Sequence, residues 1–138
     1  MRRQRRDAKA ELISRVPLFA GLSKRELAQI AAIADEIDLP AGKALTREGE
    51  RGREFFVLLE GEAEVRRKGR RIATKHAGDF FGEIALVASI PRVATVTTTS
   101  PARALVIVDH DFRALVKSTP AIALKVLEAV AHRLPEDL

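Results

Sequence analysis

From Ser23 to Ala34 the apolar residues Leu27, Ile30, Ala31 and Ala34 recur at helical spacing. Ser23 and Glu26 stand three apart as a capping box, and Leu22 with Leu27 forms the matching hydrophobic staple. The pattern predicts a helix over residues 24–34. Upstream, Val16-Pro17-Leu18-Phe19 is a short apolar clip in which Pro17 breaks any helix. Residues 1–11 form a charged leader compatible with a helix. After Asp35 the period changes. Pro40, Gly42, Gly49, Gly52, Gly61, Gly69 and Gly78 punctuate the chain in the rhythm of short strands and frequent turns. Phe55-Phe56-Val57-Leu58-Leu59 is apolar on both faces, as in a strand buried on two sides. Glu60-Gly61 reads as a turn. Glu62 to Arg66 alternates, so that strand has one wet face, and Lys68-Gly69 is another tight turn. Residues 92–99 and 103–108 are β-branched and strand-like.

Helices return at the end. Asp109 or Asp111 is the expected cap of a short helix carrying Phe112, Leu115 and Val116. Thr119-Pro120 supplies an N-cap and a first-position proline for a last helix that runs to Leu134, where Pro135 ends it. This order defines an α+β fold: an antiparallel β-roll, jelly-roll-like, flanked by N-terminal and C-terminal helices. The division expected within one domain, 1–138, is a basic leader with N-terminal helices (1–34), a β-roll (35–108) and C-terminal helices (109–134).

Composition narrows the function. The chain has 138 residues, 46% hydrophobic and 31% charged, which suits one globular domain. No apolar run reaches the roughly 18 residues of a membrane span, and the basic start leads into no signal core. No membrane insertion and a cytoplasmic setting are therefore expected. The absence of cysteine excludes a disulfide scaffold, a thiol nucleophile and a thiolate metal site. The absence of Trp and Tyr removes the usual platforms for stacking bases. The net charge of +5 is concentrated: residues 1–10 contribute +4 and the other 128 only +1. Arg66-Arg67-Lys68-Gly69-Arg70-Arg71 holds five basic residues around a turn and reads as a solvated hairpin tip, so no nucleic-acid partner is expected. His76, His110 and His132 lack metal-ligand spacing, which argues against a metal-dependent β-roll enzyme. No Ser/His/Asp arrangement or P-loop is visible. No catalytic residue, metal or resident cofactor is expected.

The informative stretch runs from Phe80 to Val96. Gly82-Glu83 opens a short helical run, Ile84 to Ala88. A helix N-terminus favours anions through its free N–H groups and its dipole. Gly82 lets the backbone approach a ligand closely. Pro91 stiffens the chain before Arg92, whose guanidinium can bind phosphate oxygens in a fork. Glu83 is an acceptor for a sugar hydroxyl. Phosphate and ribose read within one loop mean a nucleotide. Taken alone, Arg92 and Glu83 would equally suit a structural ion pair or two solvated side chains.

Phe81-Gly82-Glu83-Ile84-Ala85-Leu86 and Pro91-Arg92-Val93-Ala94-Thr95-Val96 resemble the phosphate-binding cassette, here 81–96, of the cyclic nucleotide-binding domain family. Pro17-Leu18-Phe19 with its following helix resembles the family's N-terminal helical unit, and Glu60 to Val65 its central hairpin. The terminal helices resemble its hinge and lid. The resemblance implies that Glu83 accepts from the ribose 2′-hydroxyl and Arg92 pairs with the cyclic phosphate. Backbone N–H groups at Ile84, Ala85 and Ala94 would complete the cradle, and Thr95 would add a hydroxyl near phosphate or base. Val93 stands where cGMP-selective members often carry Thr, so cAMP is the expected ligand and cGMP the lesser one, by about 1–2 kcal/mol for one lost hydrogen bond. Ser89 departs from the family, where many members have Gly.

The family usually covers the base from its last helix. Ile122, Val126 and Val130 share one face of that helix, and Lys125, Glu128 and His132 the opposite one. Arg133 falls among the apolar group. Arg133 and Val130 are thus candidate lid residues, with Arg133 stacking on a purine; a frayed, solvated Arg133 is the alternative. The implied function is a sensor that passes ligand binding through its C-terminal helices to an effector outside this chain, as monomer or weak homodimer. Two alternatives stand beside it. One is a non-sensing interaction module with a retained fold. The other is the sensory piece of a transcription regulator without its DNA-binding domain.

Overall fold

The computed structural model describes the backbone of residues 2–133 and the side chains of residues 8–132. Helix α1 (Arg2–Ser14) leads into a 3₁₀ turn at Pro17–Phe19 that starts on the proline, then α2 (Lys24–Ile33). The expected capping box closes α2. Ser23 Oγ accepts from the Glu26 N–H at 3.1 Å, and the Ser23 N–H donates to Glu26 Oε1 at 3.0 Å.

Among the described residues eight strands follow: β1 (Asp35–Leu39), β2 (Ala44–Thr46), β3 (Glu54–Glu60), β4 (Ala63–Arg67), β5 (Arg70–Lys75), β6 (Phe80–Phe81), β7 (Thr95–Thr98) and β8 (Ala102–Val108). They pair antiparallel into two four-stranded sheets, in the orders β1-β8-β3-β6 and β2-β7-β4-β5. The β4–β5 turn sits on Lys68 (φ +53) and Gly69 (φ +79), both left-handed as a two-residue hairpin turn requires. Helix α3 (Glu83–Ala88) lies between β6 and β7, and α4 (Asp109–Ser118) and α5 (Pro120–Arg133) close the chain.

Strand alternation sorts β3 between two cores. Phe55 and Val57 turn to the helices, where they join Leu105, Ile107, Phe19, Ile30, Phe112 and Ile122. Phe56 packs instead with Val65, Phe81 and Val96, between the two sheets. This is why the sequence of β3 shows no polar face. Phe55 also stacks on Phe112 of α4 at 4.5 Å between centroids, so the helical layer is seated directly on β3.

Two expectations change. Neither Asp109 nor Asp111 caps α4. Val108 holds the N-cap position without a side-chain bond, and both aspartates fall inside the first turn. There Asp109 Oδ1 accepts from Arg113 Nε at 2.6 Å. The strand expected over 92–99 begins only at Thr95, because Arg92 is occupied with the loop before β3. Among the described residues no helix is long and apolar enough to cross a membrane.

Candidate functional site

Gly82 makes the turn from β6 into α3 at φ +96, a conformation that disfavours side chains. A Cβ there would lie 2.9 Å from both Arg92 Nη1 and the Glu54 carbonyl oxygen. Glu83 follows at the first position of α3 and is fully buried. Ser89 ends the helix at φ +55, and its N–H donates to the Ala85 carbonyl. The departure from glycine therefore leaves the left-handed helix end intact. Beyond it, Pro91 bridges to Arg51, the Arg92 N–H donates to Glu50 O at 2.7 Å, and Gly49 N–H donates to Arg92 O at 2.8 Å. The backbone of Arg92 is thus clamped to the loop ahead of β3.

The Arg92 side chain turns inward and is only 6% exposed. Nη1 donates to Gly82 O at 3.1 Å and Nη2 to Glu54 O at 2.7 Å. Its Cζ lies 5.9 Å from the centre of the Phe56 ring. Gly52 makes the room: a Cβ there would meet Ala85 Cβ at 2.9 Å and Arg92 Cζ and Nε at 3.0 Å. Burial lowers the pKa of Arg92 from its ordinary value, while the carboxylates of Glu54, Glu83 and Asp109 act in the opposite sense. A guanidinium stays protonated under any such shift. Carbonyls orient the fork without cancelling its charge, and the five N–H donors of arginine exceed the two these carbonyls use.

The guanidinium lies at a pocket of about 260 Å³. Gly82, Ile84 and Ala85 form one side. Arg92, Val93 and Ala94 form the next, and Val65, Ile72, Ala73, Phe81 and Val96 give it an apolar body. Thr46 lies on the lining too, and its Oγ1 pins the start of β7 by donating to Ala94 O and accepting from the Val96 N–H.

The structure brings together Gly82, Ile84, Ala85, Arg92, Val93 and Ala94 as the sequence expects. Glu83 is buried beside them rather than on the lining. Thr95 is corrected: strand alternation turns Val96 to the pocket and Thr95 away from it, and the Thr95 hydroxyl accepts from the Glu48 N–H at 2.9 Å. Val130 is corrected as a lid in this conformation. It packs against the helical core with Ile122 and Val126, and among the described residues no α5 side chain lines the pocket. Lys125 of α5 donates to the carbonyls of Pro17 and Ala20, holding the helix against the 3₁₀ turn. The Arg133 side chain lies outside the described residues.

Sequence reasoning missed Gly52, which acts through empty space, and Glu54, which holds Arg92 through its backbone carbonyl and adds its carboxylate charge. It also missed Arg67 and Lys75 on the lining, and Arg113, which ties α3 to α4. The two lining residues were legible in principle, since Val65 and Arg67, like Ala73 and Lys75, share a strand face.

A β-roll that places the Arg92 guanidinium at the head of a largely apolar pocket, beside a short helix, has the geometry to accommodate a small anionic ligand. The chain belongs to the cyclic nucleotide-binding domain family, whose model matches residues 36–119. It is similar to a cAMP-dependent protein kinase regulatory subunit of Mycosarcoma maydis, 41% identical over 97 residues, covering 67% of this chain and 18% of that protein. It is also similar to a cyclic nucleotide-gated potassium channel of Rhizobium etli, 33% identical over 123 residues, covering 89% of this chain and 34% of the channel. The chain thus spans about a third or less of the length of these curated relatives. Its fold matches the regulatory domain of Toxoplasma gondii protein kinase A solved with cAMP, at a TM-score of 0.82 and 24% identity, over 94% of this chain and 51% of that one.

Proposed function

We propose that this chain is the non-catalytic sensor of a regulatory protein and that its ligand is a 3′,5′-cyclic mononucleotide, cAMP before cGMP. The observation that carries the reading is Arg92: a buried guanidinium held by two carbonyl oxygens at the head of a pocket. Its direct hydrogen-bond partners are neutral carbonyls, so an arriving anion adds a charge-assisted pair to a guanidinium that burial has already stripped of water. The cyclic phosphate supplies one negative charge in a fork-compatible geometry. Backbone N–H groups at Ile84, Ala85 and Ala94 add donors to it, and Glu83 takes the ribose hydroxyl once the first turn of α3 adjusts. The relatives named for cAMP-dependent kinase regulation and cyclic-nucleotide gating support this ligand class.

Ligand binding acts by shifting a population between conformations. Phosphate fixes the start of α3, and the end of α3 is tied to α4 through Arg113, so ordering of one is felt by the other. α4 and α5 then present a changed surface to an effector outside this chain. The working unit is a cytoplasmic monomer or weak homodimer. Thermal unfolding with cAMP, cGMP and linear 5′-AMP tests the ligand class. The cyclic compounds should raise Tm with concentration as a ligand of the folded state does, and 5′-AMP should fall behind. Equal or absent shifts for all three would remove the cyclic phosphate from the account.

A further inference from the structure

Arg92 takes the one formal charge of a cyclic mononucleotide, yet two more cations line the same pocket: Arg67 on β4 and Lys75 on β5. No aspartate or glutamate appears among the described lining residues. Strand register places the two cations. Val65 pairs with Ala73 at the centre of the β4–β5 ladder, Lys75 pairs with Ala63 on one side of it, and Arg67 pairs with Arg70 on the other. The apolar Val65–Ala73 patch therefore has a cationic donor at each end.

Arginine and lysine donate hydrogen bonds and cannot accept them. A guanine offers two adjacent acceptors, O6 and N7, on one edge, whereas adenine offers N7 beside an amino donor. A wall of donors without carboxylates matches the guanine edge and opposes the adenine amino group. We infer that Arg67 and Lys75 are specificity-determining residues that read the acceptor edge of the purine, one or the other according to how the base is turned. They return to cGMP the advantage that Val93 withholds. The inference rests on the cyclic-nucleotide reading and refines it: the sensor accepts both ligands, with cGMP within about tenfold of cAMP.

The test is calorimetric titration of cAMP and cGMP into the wild-type chain and into Arg67→Met, Lys75→Met and the double variant, which keep the aliphatic stems. The double variant should lose about tenfold in cGMP affinity while cAMP affinity changes less than about threefold. Retained cAMP binding certifies the fold. An equal loss for both ligands, or no loss for either, overturns the base-reading role and leaves the cyclic-nucleotide site standing. If neither nucleotide binds the wild-type chain, the site assignment itself fails and this inference with it.

Discussion

Arg113 of α4 reaches Ser89 at the end of α3, with Nη2 donating to the hydroxyl at 3.3 Å. The same nitrogen donates to the carbonyl of Leu86, and Asp109 holds Nε from behind at 2.6 Å. A cation at a helix C-terminus meets carbonyls that have no partner within the helix. Arg113→Ala is expected to cost about 1.5 kcal/mol in urea unfolding, the low end for hydrogen bonds to a charged group because the site is partly exposed. Amide exchange over residues 86–90 should speed up in the variant. Unchanged exchange there would mean that Arg113 does not join α3 to α4.

Gly52 gives a second prediction, because its φ does not lie in the glycine-favouring left-handed region. Gly52→Ala therefore acts through space alone, pressing on Arg92 and Ala85. Cyclic-nucleotide affinity should fall by about tenfold or more, since a small displacement of the fork misaligns a charge-assisted contact. Unfolding midpoints should change far less. A variant that loses stability but binds normally would contradict this role for Gly52.

These two residues mark the limit of what the sequence displays. The cassette was legible because its residue types are distinctive: Gly82 permits a left-handed turn, Arg92 offers a guanidinium, and Ile84 with Ala85 follows at a helix start. The two-faced burial of β3 was equally plain from Phe55 to Leu59. Gly52 and Glu54 were not, since one contributes empty space and the other a carbonyl, and both reach Arg92 only through tertiary folding. Thr95 was misplaced because its face depends on where β7 begins. That point is set by the Glu50–Arg92 backbone pairing rather than by residue type. Asp109 looked like a helix cap by type but serves Arg113 instead. The α5 wheel correctly grouped Ile122, Val126 and Val130, yet grouping alone did not say which layer they cover.

The capping box of α2 predicts a pH dependence. Hydrogen bonds from Ser23, the backbone N–H first, lower the pKa of Glu26 from its ordinary 4.5. A carboxyl with a lowered folded-state pKa contributes stability that is present above its unfolded value and lost as pH falls through the folded one. Glu26→Gln keeps the hydrogen-bonding shape and removes the charge. Wild type should exceed the variant in stability at pH 7, and the difference should shrink as pH falls below 4.5 and vanish once pH is below the lowered folded-state pKa. A difference independent of pH would assign the effect to packing.

The central claim is that the Arg92 guanidinium receives a cyclic phosphate. Calorimetric titration of cAMP into wild type, Arg92→Lys and Arg92→Ala at constant pH and salt tests it most directly. Truncating one partner of a buried charge pair costs about 2–5 kcal/mol, so Arg92→Ala should lose thirtyfold or more in affinity. Arg92→Lys, a point charge without the fork, should fall between. Equal cAMP affinity in all three proteins, each shown to be folded by its unfolding transition, would contradict the account.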